Sequence, residues 1–211
     1  IYLADNGRIH ANLNLHDDQG SGLSFYTNRE DTIAKQDMTF ELSRINLKEF
    51  RRILPYMPDI EGWIGAEAHY IDSGPYMMVS SDLRVDEFKY EGSALGNWEF
   101  SGVYLPGEEK DHHLDAYIRR DGKEIAHLGG IYLPAAEGTG SLSADMAFEH
   151  FPLNVVNPFV PDRMVELNGD IDGTLSMKGD PAKPLLNGEL ALDSVTFFMP
   201  EMSAMFRFDN E

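Results

Sequence analysis

From Leu167 to Phe198 the chain reads LNGDIDGTLSMKGDPAKPLLNGELALDSVTFF, two alternating apolar and polar runs around a Gly-Asp-Pro turn. A side-chain period of two belongs to a β-strand with one apolar face and one wet face, so the stretch predicts a hairpin. Ile171, Leu175 and Met177 fall on one side of its first run and Leu190 and Leu192 on one side of its second. Gly179, Asp180, Pro181 and Pro184 lie between the runs and break both.

A related pattern stands 107 positions earlier, where Ile60-Glu61-Gly62-Trp63-Ile64 matches Leu167-Asn168-Gly169-Asp170-Ile171. Asp82-Leu83-Arg84-Val85-Asp86 likewise matches Glu189-Leu190-Ala191-Leu192-Asp193. Each copy is preceded by a short segment bounded by proline. Asn46 can cap a helix in which Leu47, Phe50 and Leu54 recur at helical spacing before Pro55, with Glu49 placed to complete a capping box. Phe151 to Phe159 echoes it, with Pro152 suited to a first turn and Asn157-Pro158 closing it. Helix, glycine-bearing strand, turn and strand thus occur twice, the second copy carrying one extra residue.

Shorter alternating runs fill the rest. Ile9 to Leu15 and Leu23 to Tyr26 flank a loop of turn formers, and Asp37 to Ser43 forms another strand. Ile64, Ala66, Ala68 and Tyr70 share a face before the Asp72-Ser73-Gly74-Pro75 turn, and Met77 to Tyr90 returns with Leu83 and Val85. Trp98 to Tyr104, Leu114 to Arg119, Glu124 to Leu133 and Leu142 to Phe148 follow at meander spacing, Asp121-Gly122 being a two-residue hairpin turn. In the last run Met202, Ala204, Phe206 and Phe208 share a face. The organisation expected is N-terminal strands over 1–44, a first repeat with an irregular meander over 45–150, and a second repeat over 151–211. The fold class is all-β. A meander of this length closes into a barrel, packs as a sandwich, or curls into a groove filled by something else.

Composition excludes several functions. With 17 Lys and Arg against 36 Asp and Glu, the formal charge of −19 disfavours nucleic acid and anionic membrane surfaces, which both require neutralisation of phosphates. The absence of cysteine removes thiol catalysis and thiolate metal sites. There is no Gly-x-Ser-x-Gly elbow, no phosphate-binding glycine loop and no His-Glu-x-x-His, so no enzyme is expected. Asp111-His112-His113 is the one tempting metal cluster, but adjacent histidines on a strand point to opposite faces, so neither metal nor cofactor is expected. No run approaches the roughly 20 apolar residues that span a bilayer. The start at Ile1 is read as a piece of something longer.

Leu167 to Pro181 with Lys183-Pro184-Leu185-Leu186-Asn187-Gly188-Glu189-Leu190 resembles the repeat of the TamB family and its AsmA-like relatives. The short Pro-bounded segment from Pro152 to Val160 is similar as well, and the copy over Ile45 to Tyr90 extends the resemblance. It implies an elongated, curled antiparallel sheet, a β-taco, with short amphipathic helices between repeats. It also implies a periplasmic protein tethered to the inner membrane by a segment not in this sequence. On that resemblance the apolar groove carries phospholipid between the membranes and supports outer-membrane protein assembly with a β-barrel assembly protein of the Omp85 type. Its lipid-facing residues here would be Ile64, Ala66, Ala68, Tyr70, Leu83, Val85, Ile171, Leu175, Met177, Leu190, Leu192, Phe206 and Phe208. The alternative is a scaffold or chaperone module that binds outer-membrane β-barrel partners by adding a strand to its sheet edge.

Overall fold

The computed structural model describes residues 2–3, 7–28, 34–54, 56–74, 76–107, 110–135, 138–161 and 164–208, with only the backbone of 2, 3 and 53. Among the described residues there are fourteen strands: β1 (Tyr2–Leu3), β2 (Ile9–His10), β3 (Asn12–His16), β4 (Gly22–Thr27), β5 (Gln36–Asn46), β6 (Ile60–Asp72), β7 (Met77–Tyr90), β8 (Ser93–Pro106), β9 (His112–Arg120), β10 (Lys123–Leu133), β11 (Ser141–Pro152), β12 (Glu166–Gly179), β13 (Leu185–Met199) and β14 (Ala204–Phe208). β1 and β2 form a separate ribbon; β3 to β14 form one antiparallel sheet in strict sequence order, and it does not close. This is an all-β chain built as a curled open sheet with two short helical segments. Among the described residues no helix is long and apolar enough to cross a membrane.

The molecule exposes 14068 Å², whereas a compact monomer of 23.7 kDa would expose about 9,800 Å². The difference is what an unfolded-out sheet requires and a sandwich does not. Consistently, no large side chain among the described residues is less than 2 % exposed. The buried apolar side chains include Leu47, Leu95, Ile125, Val155 and Val195, which belong to the helical segments or lie beside the strand irregularities described next.

At the sheet end where β5, β7, β9, β11 and β13 finish, the ladder is interrupted strand after strand. Register shifts fall between Leu42 and Ile45, Glu61 and Trp63, Val85 and Phe88, Glu124 and Ala126, Phe148 and Phe151, and Asn168 and Asp170. An extra residue in one strand bends it and increases its twist, so a row of such bulges curls the sheet across its width. The two copies place them alike. Gly62 lies against the carbonyls of Asp86 and Glu87, and Gly169 against those of Asp193 and Ser194. Glu87 and Ser194 are both left-handed, at φ 53° and 52°. The 107-residue offset seen in the sequence is therefore an offset between equivalent bulges.

The same end carries the helical segments. In α1 (Leu47–Ile53) the Asn46 side chain accepts from the Lys48 N–H as expected of a cap. Glu49 does not complete the capping box; it pairs with Arg52 at 2.5 Å. Lys48 reaches Glu61 on β6 at 2.8 Å, and Lys89 on β7 reaches the same carboxylate at 3.3 Å. Pro55, expected to stop α1, lies outside the described residues, as does Pro75 of the following turn. The second segment differs from expectation. Phe151 and Pro152 still pair with Ile171 and Asp170 in the sheet, and Leu153–Phe159 is a 3-10 helix rather than an α-helix. Pro158 inside it has no N–H and disfavours α geometry at Asn157. Asn157 clamps the segment to β12 through both its amide atoms, each 2.8 Å from the Leu167 backbone. Phe159 then meets Tyr90 of β7 with centroids 4.5 Å apart, although β7 and β11 are four strand positions apart, about 19 Å across a flat sheet.

Three further boundaries differ. The run from Ile9 to Leu15 is split at Ala11, whose backbone bonds Thr27 instead. β8 begins at Ser93 because Glu91-Gly92, at φ 47° and 77°, makes a tight hairpin turn of the same kind as Asp121-Gly122. Met202 lies in a 3-10 turn over Pro200–Met202, so β14 starts at Ala204.

A Cβ at Gly169 would stand 2.7 Å from three backbone atoms at φ 96°, and one at Gly62 2.7 Å from a carbonyl at φ 131°. Gly169→Ala should therefore cost about 2 kcal/mol or more in urea unfolding, and Gly62→Ala should cost a similar amount. Glu61 is held below the usual carboxylate range by its bonds to Lys48 and then Lys89. A depressed carboxylate stabilises the fold above its ordinary range, near pH 4.3, and that stability is lost as pH falls through and below that range. Glu61→Gln should lower the unfolding midpoint at pH 7 and flatten its acid-side decline in a pH series.

Candidate functional site

Directly paired residues of neighbouring strands share a face, so register places every side chain of the sheet. Starting from Ala66, the paired positions run outward through Leu42, Leu23 and Leu15 on one side. On the other they run through Leu83, Phe100, Ile118, Ala126, Phe148, Gly173 and Leu190. The next row passes from Leu13 and Phe25 through Phe40, Ala68, Ser81, Gly102, Ala116, Leu128 and Met146 to Leu175. A third joins Met38, Tyr70, Val79, Tyr104, Leu114, Gly130, Ala144 and Met177. One continuous apolar face therefore crosses the sheet from β3 to β13.

Every residue assigned to a groove from sequence stands on that face. Ile64 pairs with Val85 and Ile171 with Leu192, each two positions from a member of the first row. Phe206 pairs with Phe197, itself opposite Leu167, and Phe208 follows by alternation. Sequence reasoning missed the middle of the face. Phe100, Leu114, Leu128 and Met146 alternate as clearly as the two repeats do, but Gly102, Ala116 and Gly130 occupy intervening apolar positions and dilute the pattern. The face is open: Phe100 is 37 % exposed, Leu114 43 %, Leu190 43 % and Phe206 47 %.

The opposite face is polar. One of its rows reads Asn14, Ser24, Glu41, Glu67, Asp82, Ser101, Tyr117, His127, Ala147, Thr174 and Glu189. Tyr117 and His127 stack at 4.3 Å, and both bond Asp115, at 3.2 and 2.5 Å. The bond to Asp115 raises the Tyr117 hydroxyl above the usual tyrosine range. His112 and His113 point to opposite faces, as alternation requires. His113 bonds Asp111 at 2.5 Å, while His112 sits on the apolar face between Tyr104 and Tyr132. Among the described residues no three His, Asp or Glu side chains are grouped to hold a metal.

The apolar face has unlike ends. The helical end is dry, around Leu95, Ile125, Val155 and Val195. At the other end Tyr104, His112 and Tyr132 form a stacked ladder, with centroids 5.7 and 5.8 Å apart. The Tyr104 hydroxyl bonds His112 Nδ1, and the Tyr132 hydroxyl donates to the Thr139 carbonyl at 3.0 Å. Thr139 Oγ1 donates to Asp180 at 2.7 Å, which with the Ala182 N–H holds that carboxyl below its usual range. Beneath the ladder a cleft of about 490 Å³ opens over Gly130 and Ala144.

The chain matches no protein-family model, no curated protein and no solved structure.

Glu67 stands directly between Glu41 and Asp82, and like charges directly opposite destabilise a sheet. Glu67→Lys should stabilise the protein by roughly 1 kcal/mol at low salt, with the gain shrinking as salt is added. A thermal unfolding series in sodium chloride checks both the sign and the register that generates it.

Proposed function

We propose that this chain is a non-enzymatic segment of a periplasm-spanning envelope-biogenesis protein, whose apolar groove carries phospholipid between the inner and outer membranes. The observation that carries the reading is the continuous apolar face of an open, curled sheet, which among the described residues is covered only at its helical end. Patches beyond a few hundred Å² on a monomer mark surfaces that meet another apolar body. The resemblance of the two repeats to the TamB and AsmA-like repeat supplies the compartment, the inner-membrane tether and the supporting role in outer-membrane protein assembly. Movement would be passive. An acyl chain entering the groove exchanges lipid contact for protein contact, and each methylene kept from water is worth about 0.8 kcal/mol in both places, so no large step opposes sliding.

The alternative reading, strand addition by an outer-membrane barrel partner of the Omp85 type, has its own support. β14 pairs only with Val195 to Met199 of β13, and from Leu185 to Ala191 β13 has no outer partner strand among the described residues. That edge is a template for an incoming strand.

Native mass spectrometry of the purified chain, together with lipid transfer between vesicle populations, separates the two. Wild type should carry phospholipid and transfer it, and the double substitution Leu175→Asp, Leu190→Asp should abolish both while the sheet remains folded by circular dichroism. Transfer that persists in the folded variant would refute the conduit. A proline elsewhere on that edge, at a position between Leu185 and Glu189 whose N–H points outward, should instead abolish capture of a partner strand while leaving lipid bound.

A further inference from the structure

Gly130 on β10 and Ala144 on β11 face each other across the sheet and leave a gap between their larger neighbours. Leu114 flanks Gly130 on one side and Met177 flanks Ala144 on the other. Leu128 lies two residues along β10 toward the dry end. Tyr132 and Leu142, which pair with each other, stand toward the ladder end. The gap is the cleft of about 490 Å³, within the size range of small-molecule sites. Its polar side chains are those of the ladder: Tyr104, His112 and Tyr132.

We infer that this cleft is a fixed seat for one acyl chain of a lipid with an uncharged or zwitterionic head. The chain lies over Gly130 and Ala144 and points toward Leu128, and the head meets the hydroxyl and imidazole groups of the Tyr104, His112 and Tyr132 ladder. The inference rests on the conduit reading and refines it: the groove has a stopping place as well as a track. Two observations select the occupant. The floor is apolar and the hydrogen-bonding groups are confined to one rim, which is the chemistry of an amphiphile. The protein carries −19, and the hydrogen-bond chain from Tyr132 ends on the carboxylate of Asp180, so an anionic head meets repulsion there.

The test incubates the full chain with vesicles of equimolar phosphatidylethanolamine and phosphatidylglycerol, re-purifies it and counts bound lipid by native mass spectrometry. Wild type should retain one phosphatidylethanolamine. Ala144→Leu should lower that occupancy roughly tenfold, about the effect of displacing two buried methylenes. Ala147→Leu, the same enlargement on the polar face of the same strand, should leave occupancy unchanged. If Ala144→Leu unfolds at lower denaturant than wild type, Leu114→Trp fills the same cleft from an exposed position and should give the same loss. Lipid bound to wild type but lost equally from both enlargements, or from neither, overturns the seat and leaves the conduit standing. Equal retention of phosphatidylglycerol overturns the choice of head. No lipid on wild type defeats the conduit reading and the seat with it.

Discussion

The hydrogen-bond register of a sheet in which each strand pairs with its neighbours in sequence governs this molecule. Side chains alternate with period two, so sliding any strand by one residue would send its apolar set to the polar face. In β12, Ile171, Leu175 and Met177 would then exchange places with Asp170, Asp172, Thr174 and Ser176. Because every connection is local, each hairpin fixes the facing of the next, and one apolar face propagates from Leu13 and Leu15 to Leu190 and Leu192 without a long-range contact to enforce it.

That architecture departs from the usual route to stability. A globular domain hides its apolar side chains in a sealed core, whereas here burial is partial and spread along the sheet. Each strand gains area mainly from the two beside it, so stability is close to a sum of neighbour terms, as in other repetitive arrays. The helical end is where side chains come nearest to a core. There α1 and the 3-10 segment cover the bulged row, and the contact of Phe159 with Tyr90 holds β7 and β11 to a curve. The bulges at Gly62 with Glu87 and Gly169 with Ser194 repeat because each copy bends at the same place.

The polar face carries the opposite constraint. Glu41, Glu67 and Asp82 lie side by side across three strands, a cost the fold tolerates because the face is solvated. The net charge of −19 opposes the close approach of two copies. The asymmetry also gives the apolar face a direction, dry at the helical end and lined with hydrogen-bonding aromatics at the end carrying Tyr104, His112 and Tyr132.

Much of this was legible in the residues alone. The alternation, the turn residues at Asp121-Gly122 and Asp180-Pro181, the cap at Asn46 and the 107-residue offset determine strands, hairpins and repeat units, because they act over two to five residues. The facing of Ile64, Ala66, Ile171 and Leu175 follows from the same period. The middle of the face was harder to read, since Gly102, Ala116 and Gly130 hold apolar positions without looking apolar. What only the tertiary structure decided was whether that face is sealed or open. A sandwich, a barrel and a groove share one alternating pattern. The choice depends on how twist and bulges accumulate over a dozen strands, and that sum is not written at any single position.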